Sequence, residues 1–164
     1  MKSYQQILTS TATLAFALLS SANADTNWHA DYHKAAAEVL KAPGKLLLIS
    51  FDGSGWVPFS DRLRKEVYSQ PEFKDYANKN LVLLEVDFPR SRSGMPTVDQ
   101  APPGQNTALA RKCGINPFDS SALPAIVLLN KEGKEVARLP YLPGGPPVFI
   151  AEVEKKLKRA GYAR

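Results

Sequence analysis

Apolar positions in this chain recur with two spacings. In NWHADYHKAAAEVLKA, Trp28, Tyr32, Ala35 or Ala36, Val39 and Leu40 fall at helical intervals, and Pro43-Gly44 ends the pattern. LLLISF (46–51) and LVLLEVDF (81–88) are continuous apolar runs of strand length, as expected of strands covered on both faces. Between them a helix is predicted from Pro58, whose missing amide proton costs nothing at a helix start, with Phe59, Leu63 and Val67 down one side. SQPEFKDYANKN adds a short helical turn with Pro71 near its start and Phe73, Tyr76 and Ala77 inward.

Residues 89–104, PRSRSGMPTVDQAPPG, have no period and many turn formers, so they read as a functional or mobile loop. NTALARKCGI resumes a helix, with Asn106 or Thr107 as cap and Leu109 and Cys113 four apart on one face. LPAIVLLNKEGKEVARL reads as two strands about a polar, glycine-bearing turn at Asn130 to Lys134. VFIAEVEKKLKRAG then makes an amphipathic terminal helix with Phe149, Ile150, Val153 and Leu157 on one side, and no internal repeat is visible. Helical crossovers make the first two strands parallel, while a tight turn makes the last two antiparallel. The expected fold is a three-layer α/β arrangement with a central mixed sheet of four to five strands.

The first 24 residues fall outside that pattern. MKSYQQ carries one positive charge, ILTSTATLAFALL is an interrupted apolar stretch, and SANA ends in the small-x-small pattern of a cleavage site. Residues 1–24 are therefore expected to be a signal peptide cleaved after Ala24, leaving one exported domain, 25–164, periplasmic or secreted and without a membrane anchor. No cysteine follows the stretch to take a lipid.

Composition changes this picture little. With 44% apolar and 23% charged residues in 164, the chain can build one core. The formal charge of +5 falls to +4 when Lys2 leaves, and the basic residues are interspersed with acids; the EKKLKR cluster reads as a solvated helix face. No continuous basic face with interleaved aromatics is present, so nucleic acid is not an expected partner. Cys113 is the single cysteine, which excludes a disulfide within the chain.

The order of elements, FDGSGW followed by proline and helix, EVDFPR, NTALARKCGI, a strand preceded by Leu-Pro, NKEGKEV and LPGGPPVFIAEVEKKL together resemble an exported thioredoxin-like domain over roughly residues 28 to 158. The resemblance implies a Trp-Cys-x-x-Cys motif after the first core strand, where a helix N-terminus lowers a thiol pKa and a second thiol resolves the mixed disulfide. Here the corresponding residues are Trp56-Val57-Pro58-Phe59-Ser60, with Val57 and Ser60 at the two cysteine positions. Valine has no nucleophilic atom, and an unassisted serine stays un-ionised at neutral pH, so exchange through this motif is not expected.

The resemblance further implies that Pro124 is a cis proline facing the motif, with a trans strand-entry proline as the alternative. It also implies a groove in which the Leu123 backbone pairs with an extended peptide held against Trp56, Pro58 and Phe59. The buried acid of the family has no evident counterpart, since Ser50 and Phe51 fall near its place and Asp52 is the nearest carboxylate. Cys113 is expected to be a buried, inert thiol, with an intermolecular or functional thiol as the alternative.

Other chemistry is weaker. Ser60 lacks a nearby base for hydrolysis, because His29 and His33 belong to the first helix. Those two histidines, with Asp31 between, lack a third metal ligand, and Arg62 and Lys65 read as surface charges. The expectation is a monomeric module without cofactor, metal or catalytic residue, binding an unknown protein or extended peptide. The alternative is an oxidoreductase-related protein acting through Cys113.

Overall fold

Both apolar runs become central strands. The computed structural model describes residues 26–90 and 104–162; the expected signal segment and most of the 89–104 loop lie outside them. The described elements are β1 (Trp28–His29), α1 (Tyr32–Lys41), β2 (Leu46–Asp52), α2 (Pro58–Leu63), a π-helical segment (Arg64–Tyr68), α3 (Pro71–Asn80), β3 (Leu81–Asp87), α4 (Gln105–Lys112), a 3-10 turn (Ser120–Ala122), β4 (Ala125–Leu129), β5 (Glu135–Pro140) and α5 (Gly145–Arg159). The strands form one sheet in the order β1-β3-β2-β4-β5. β2 runs parallel to β3 and antiparallel to β4, which pairs antiparallel with β5.

Period-2 alternation divides the core into two layers. Leu47, Ile49 and Phe51 of β2, with Val82, Leu84 and Val86 of β3, face α1 and α4. Leu46, Leu48, Leu81 and Leu83 face the layer containing Leu63, Phe73, Phe149, Val153 and Leu157. On this second face the upper ends of both strands turn polar, because Ser50 stands opposite Glu85 and Asp52 opposite Asp87.

Several boundaries differ from the sequence expectation. Trp28 and His29 do not enter the first helix but pair with Leu83 and Leu84 of β3. The helix starts at Tyr32 because the Asp31 carboxylate accepts from the amides of His33 (2.8 Å) and Lys34 (3.2 Å). Leu40 is 68% exposed, since Ala35 and Val39 already define the inward stripe of α1. α3 is a full ten-residue helix, and the N-cap of α4 is Gly104 rather than Asn106 or Thr107. With its left-handed φ of 79°, Gly104 turns the chain into α4 without a side-chain cap.

Candidate functional site

The FDGSGWVPFSDRL stretch forms a tight link between β2 and α2. Phe51 pairs with Ala125, and Ala125 with Pro140, so the end of β2, the Leu123-Pro124 entry to β4 and the exit of β5 lie side by side. The Leu123–Pro124 bond is cis. Phe59 is half exposed rather than aligned with the buried Leu63 and Val67, and its ring stacks on Tyr141, just past β5, with centroids 5.3 Å apart. The Arg62 guanidinium lies 5.9 Å from the Phe59 ring centre, and the Tyr141 hydroxyl donates to Glu66.

Trp56 forms the other wing. Its indole N–H donates to the Phe88 carbonyl at 2.7 Å, and the Arg90 guanidinium sits 3.6 Å from the ring centroid. The geometry thus places Trp56, Pro58, Phe59, Leu123 and Pro124 around one end of the sheet.

Val57 and Ser60 hold this turn together. Val57 is the N-cap of α2, yet its side chain is only 2% exposed and packs in the core layer that includes Leu123. Its amide donates to the Gly53 carbonyl at 2.8 Å. Ser60 is buried, and its Oγ accepts from the Gly53 amide at 3.1 Å. Gly53 has no room for a side chain: an added Cβ would lie 2.6 Å from Val57 Cγ2 and 2.8 Å from Trp56 Cε2. The arrangement is a packed turn with no thiol at either motif position and the Ser60 hydroxyl engaged with the Gly53 amide.

Behind the turn lies a polar network that the sequence reading missed. Asp52 is 3% exposed; its Oδ2 accepts from Ser50 Oγ at 2.6 Å, and Ser50 Oγ lies 3.0 Å from the buried Tyr68 hydroxyl. With the Ser50 proton directed to Asp52, Tyr68 donates to Ser50. Asp52 Oδ1 has no hydrogen-bond partner among the described residues. Burial raises the Asp52 pKa to about 7, against the opposing effects of Ser50 and Arg64. Burial also drives the Tyr68 phenol upward and keeps it neutral. Asp87 is satisfied separately by the Ser54 amide at 2.9 Å and the Ser54 hydroxyl, and Glu85 pairs with Arg64. The missed signal was the alternation in S-F-D and E-V-D, which puts four polar groups on one sheet face.

A family model described as a thioredoxin-like domain matches residues 33–155. The chain belongs to the thioredoxin-like family. It is 28% identical over 137 residues to the disulfide bond reductase DsbH of Chlamydia pneumoniae, covering 84% of this chain and 76% of that protein. It is 35% identical over 112 residues to the thioredoxin-related protein DsbJ of the same organism, covering 68% of this chain but only 29% of DsbJ. A solved structure of a DsbH oxidoreductase aligns with a TM-score of 0.69 at 25% identity, over 94% of this chain and 95% of that one. A thioredoxin from Thermus thermophilus, at 20% identity and a TM-score of 0.58 over 84% and 91% of the chains, supports the fold.

Asp52, the carboxylate nearest to Ser50-Phe51 in the sequence, is buried and lies on the Ser50 face of the sheet. Cys113 is the C-cap of α4 and is half-buried, more open than its spacing from Leu109 suggested. Burial raises its thiol pKa, partly opposed by Arg138, whose guanidinium donates to the Cys113 carbonyl at 2.6 Å. It lines a small cavity with Tyr32, Leu109 and Gly133. His29 pairs with Glu38 at 2.7 Å, whereas His33 follows the cap in α1. Among the described residues no group of three or more metal-ligating side chains converges, and no helix is long and apolar enough to cross a membrane.

Proposed function

We propose that this thioredoxin-like protein is a disulfide-pathway relative that binds polypeptide at the Trp56, Phe59 and Pro124 end of the sheet without exchanging thiols there. The observation that carries this reading is the use of Val57 and Ser60 as packing and hydrogen-bonding elements of the turn. With no sulfur at either position, the remaining features at this end suit contact: a half-exposed Phe59, the Trp56 face bearing Arg90, and the backbone around Leu123. An extended, unfolded segment of a monomer-bound client fits such a surface. Residues 1–24 would deliver the domain across a membrane, to the periplasm or the outside.

A second reading has specific support in the likeness to proteins named disulfide bond reductase and thioredoxin-related protein. In that reading the protein is an oxidoreductase relative whose only thiol, Cys113, attacks a partner's disulfide as the thiolate, forming a mixed disulfide with one partner sulfur and releasing the other as a thiolate. The raised thiol pKa and half-burial of Cys113 weigh against rapid exchange.

The deciding experiment compares wild type, Phe59→Ala and Cys113→Ser for retention of a reduced, unfolded client and for disulfide reduction of insulin. The first reading expects no insulin reduction, and client binding lost in Phe59→Ala but kept in Cys113→Ser. Reduction abolished by Cys113→Ser would replace the first reading with the second.

A further inference from the structure

Two arginines lie over the aromatic rings at the Trp56 end of the sheet. The Arg90 guanidinium sits 3.6 Å from the Trp56 ring centroid, and that of Arg62 sits 5.9 Å from the centre of the Phe59 ring. Both rings are themselves held by the fold. The Trp56 indole N–H donates to the Phe88 carbonyl at 2.7 Å, while Phe59 stacks on Tyr141, whose hydroxyl donates to Glu66. Each guanidinium therefore rests on a ring whose orientation is already set.

A guanidinium over a ring uses its face and keeps its in-plane N–H donors, the fork that matches a carboxylate. Among the described residues neither Arg62 nor Arg90 forms an ion pair. The acids of this region are engaged otherwise. Asp87 takes the Ser54 amide and hydroxyl, Glu66 takes the Tyr141 hydroxyl, and Asp119 takes the Ser121 amide and hydroxyl. Asp61 stays exposed on α2 beside Arg62, without a hydrogen bond among the described residues. The acids thus mostly hold internal donors, whereas the two arginine forks have no internal carboxylate, and a ligand is left to supply it.

We infer that the polypeptide bound at this end is an acidic one, an extended segment whose Asp or Glu side chains reach Arg62 and Arg90 while its backbone lies against Leu123. This rests on the polypeptide-binding reading above and specifies its client. Each carboxylate would accept two parallel N–H bonds from one guanidinium. The ring beneath limits the freedom that the arginine loses on binding, so less of the interaction is spent on ordering it. A formal net charge of +5 adds attraction at longer range. Trp56 and Phe59 offer apolar contact beside the charges, which a small free anion would leave unused. A basic segment would meet two like charges and leave both forks unpaired.

End-labelled unfolded peptides test it on the full purified chain, identical except at two positions that carry Glu, Gln or Lys, with binding followed by fluorescence anisotropy. The Glu peptide should bind about five- to tenfold more tightly than the Gln peptide, with the Lys peptide weakest. That preference should shrink at high salt. Arg62→Gln and Arg90→Gln should each lower the ratio of Glu to Gln affinities, and the double change Arg62→Glu/Arg90→Glu should turn the preference toward the Lys peptide. Lys131→Gln removes the same charge at the far β4–β5 turn and should leave the ratio as it is. Circular dichroism checks that every variant folds. Equal affinity of the wild type for all three peptides would overturn the acidic preference and leave the binding surface standing. No binding of any of them would instead remove the surface, and the polypeptide-binding reading with it. A ratio lowered as much by Lys131→Gln as by the arginine changes would trace the preference to overall charge and overturn the assignment to Arg62 and Arg90.

Discussion

The Ser60 hydroxyl oxygen accepts the Gly53 amide at 3.1 Å, so a residue at a cysteine position of the family motif closes the turn that the motif begins. Ser60→Ala leaves that buried amide without its acceptor. A loss of about 1–3 kcal/mol in urea-induced unfolding is expected. Stability within error of wild type would show that the bond contributes nothing.

Gly53 itself is constrained by close approach. In Gly53→Ala the new methyl would meet Val57 Cγ2 at 2.6 Å and the Trp56 ring at 2.8 Å. Displacing both should destabilise by roughly 1–3 kcal/mol, the usual range for overpacking, and should shift the tryptophan emission. An unchanged spectrum and midpoint would contradict the packing described.

Asp52 should make stability fall with rising pH. Its carboxyl has a pKa near 3.8 when unfolded and about 7 when folded, so the folded state holds the extra proton between these values. Stability tied to that proton is complete below the unfolded pKa and is lost as pH rises through about 7. Asp52→Asn should flatten this slope and be more stable than wild type at pH 8 by a few kcal/mol. Denaturation curves at pH 4.5 and 8 measure it, and parallel losses in both proteins would sink the assignment.

Cys113 should react slowly. With its thiol held above the ordinary range by burial, little thiolate exists at neutral pH, and its rate with a neutral reagent should fall below that of free cysteine and keep rising into strongly alkaline pH. A rate equal to that of free cysteine at pH 7 would reverse the description of its surroundings.

Restoring both sulfurs tests the turn from the opposite side. In Val57→Cys/Ser60→Cys, the thiols occupy the N-cap and third residue of α2. Mild oxidation should close a disulfide, seen as loss of two alkylation sites by mass spectrometry, and insulin reduction should appear. Two persistently free thiols would mean that this turn no longer has the family geometry.

Much of the architecture was legible in the chain because strong signals set it. The runs 46–51 and 81–88 had strand length and no polar interruption, and Pro58 and Pro71 marked helix starts. Trp28 and His29 were misread because two residues cannot display a period, and their strand exists only by pairing with β3. Leu40 fits a helical stripe on paper, but α1 turns it outward once Ala35 and Val39 face the sheet. At the site, the missing dithiol was evident from Val57 and Ser60 alone. The depth of Asp52 was not, since it lies in a network that includes Tyr68, which stands 18 residues after Ser50 and reaches it from the π-helical segment.

The packing of Val57 limits what this position can become. Its side chain supports the core while Ser60 anchors the turn, so each position now answers to folding whether or not any client is bound. A cysteine placed at either one alone would disturb a fitted element and have no second thiol to pair with. Substitutions at these two positions are therefore expected to be limited by shape and hydrogen bonding, whatever they do to thiol chemistry.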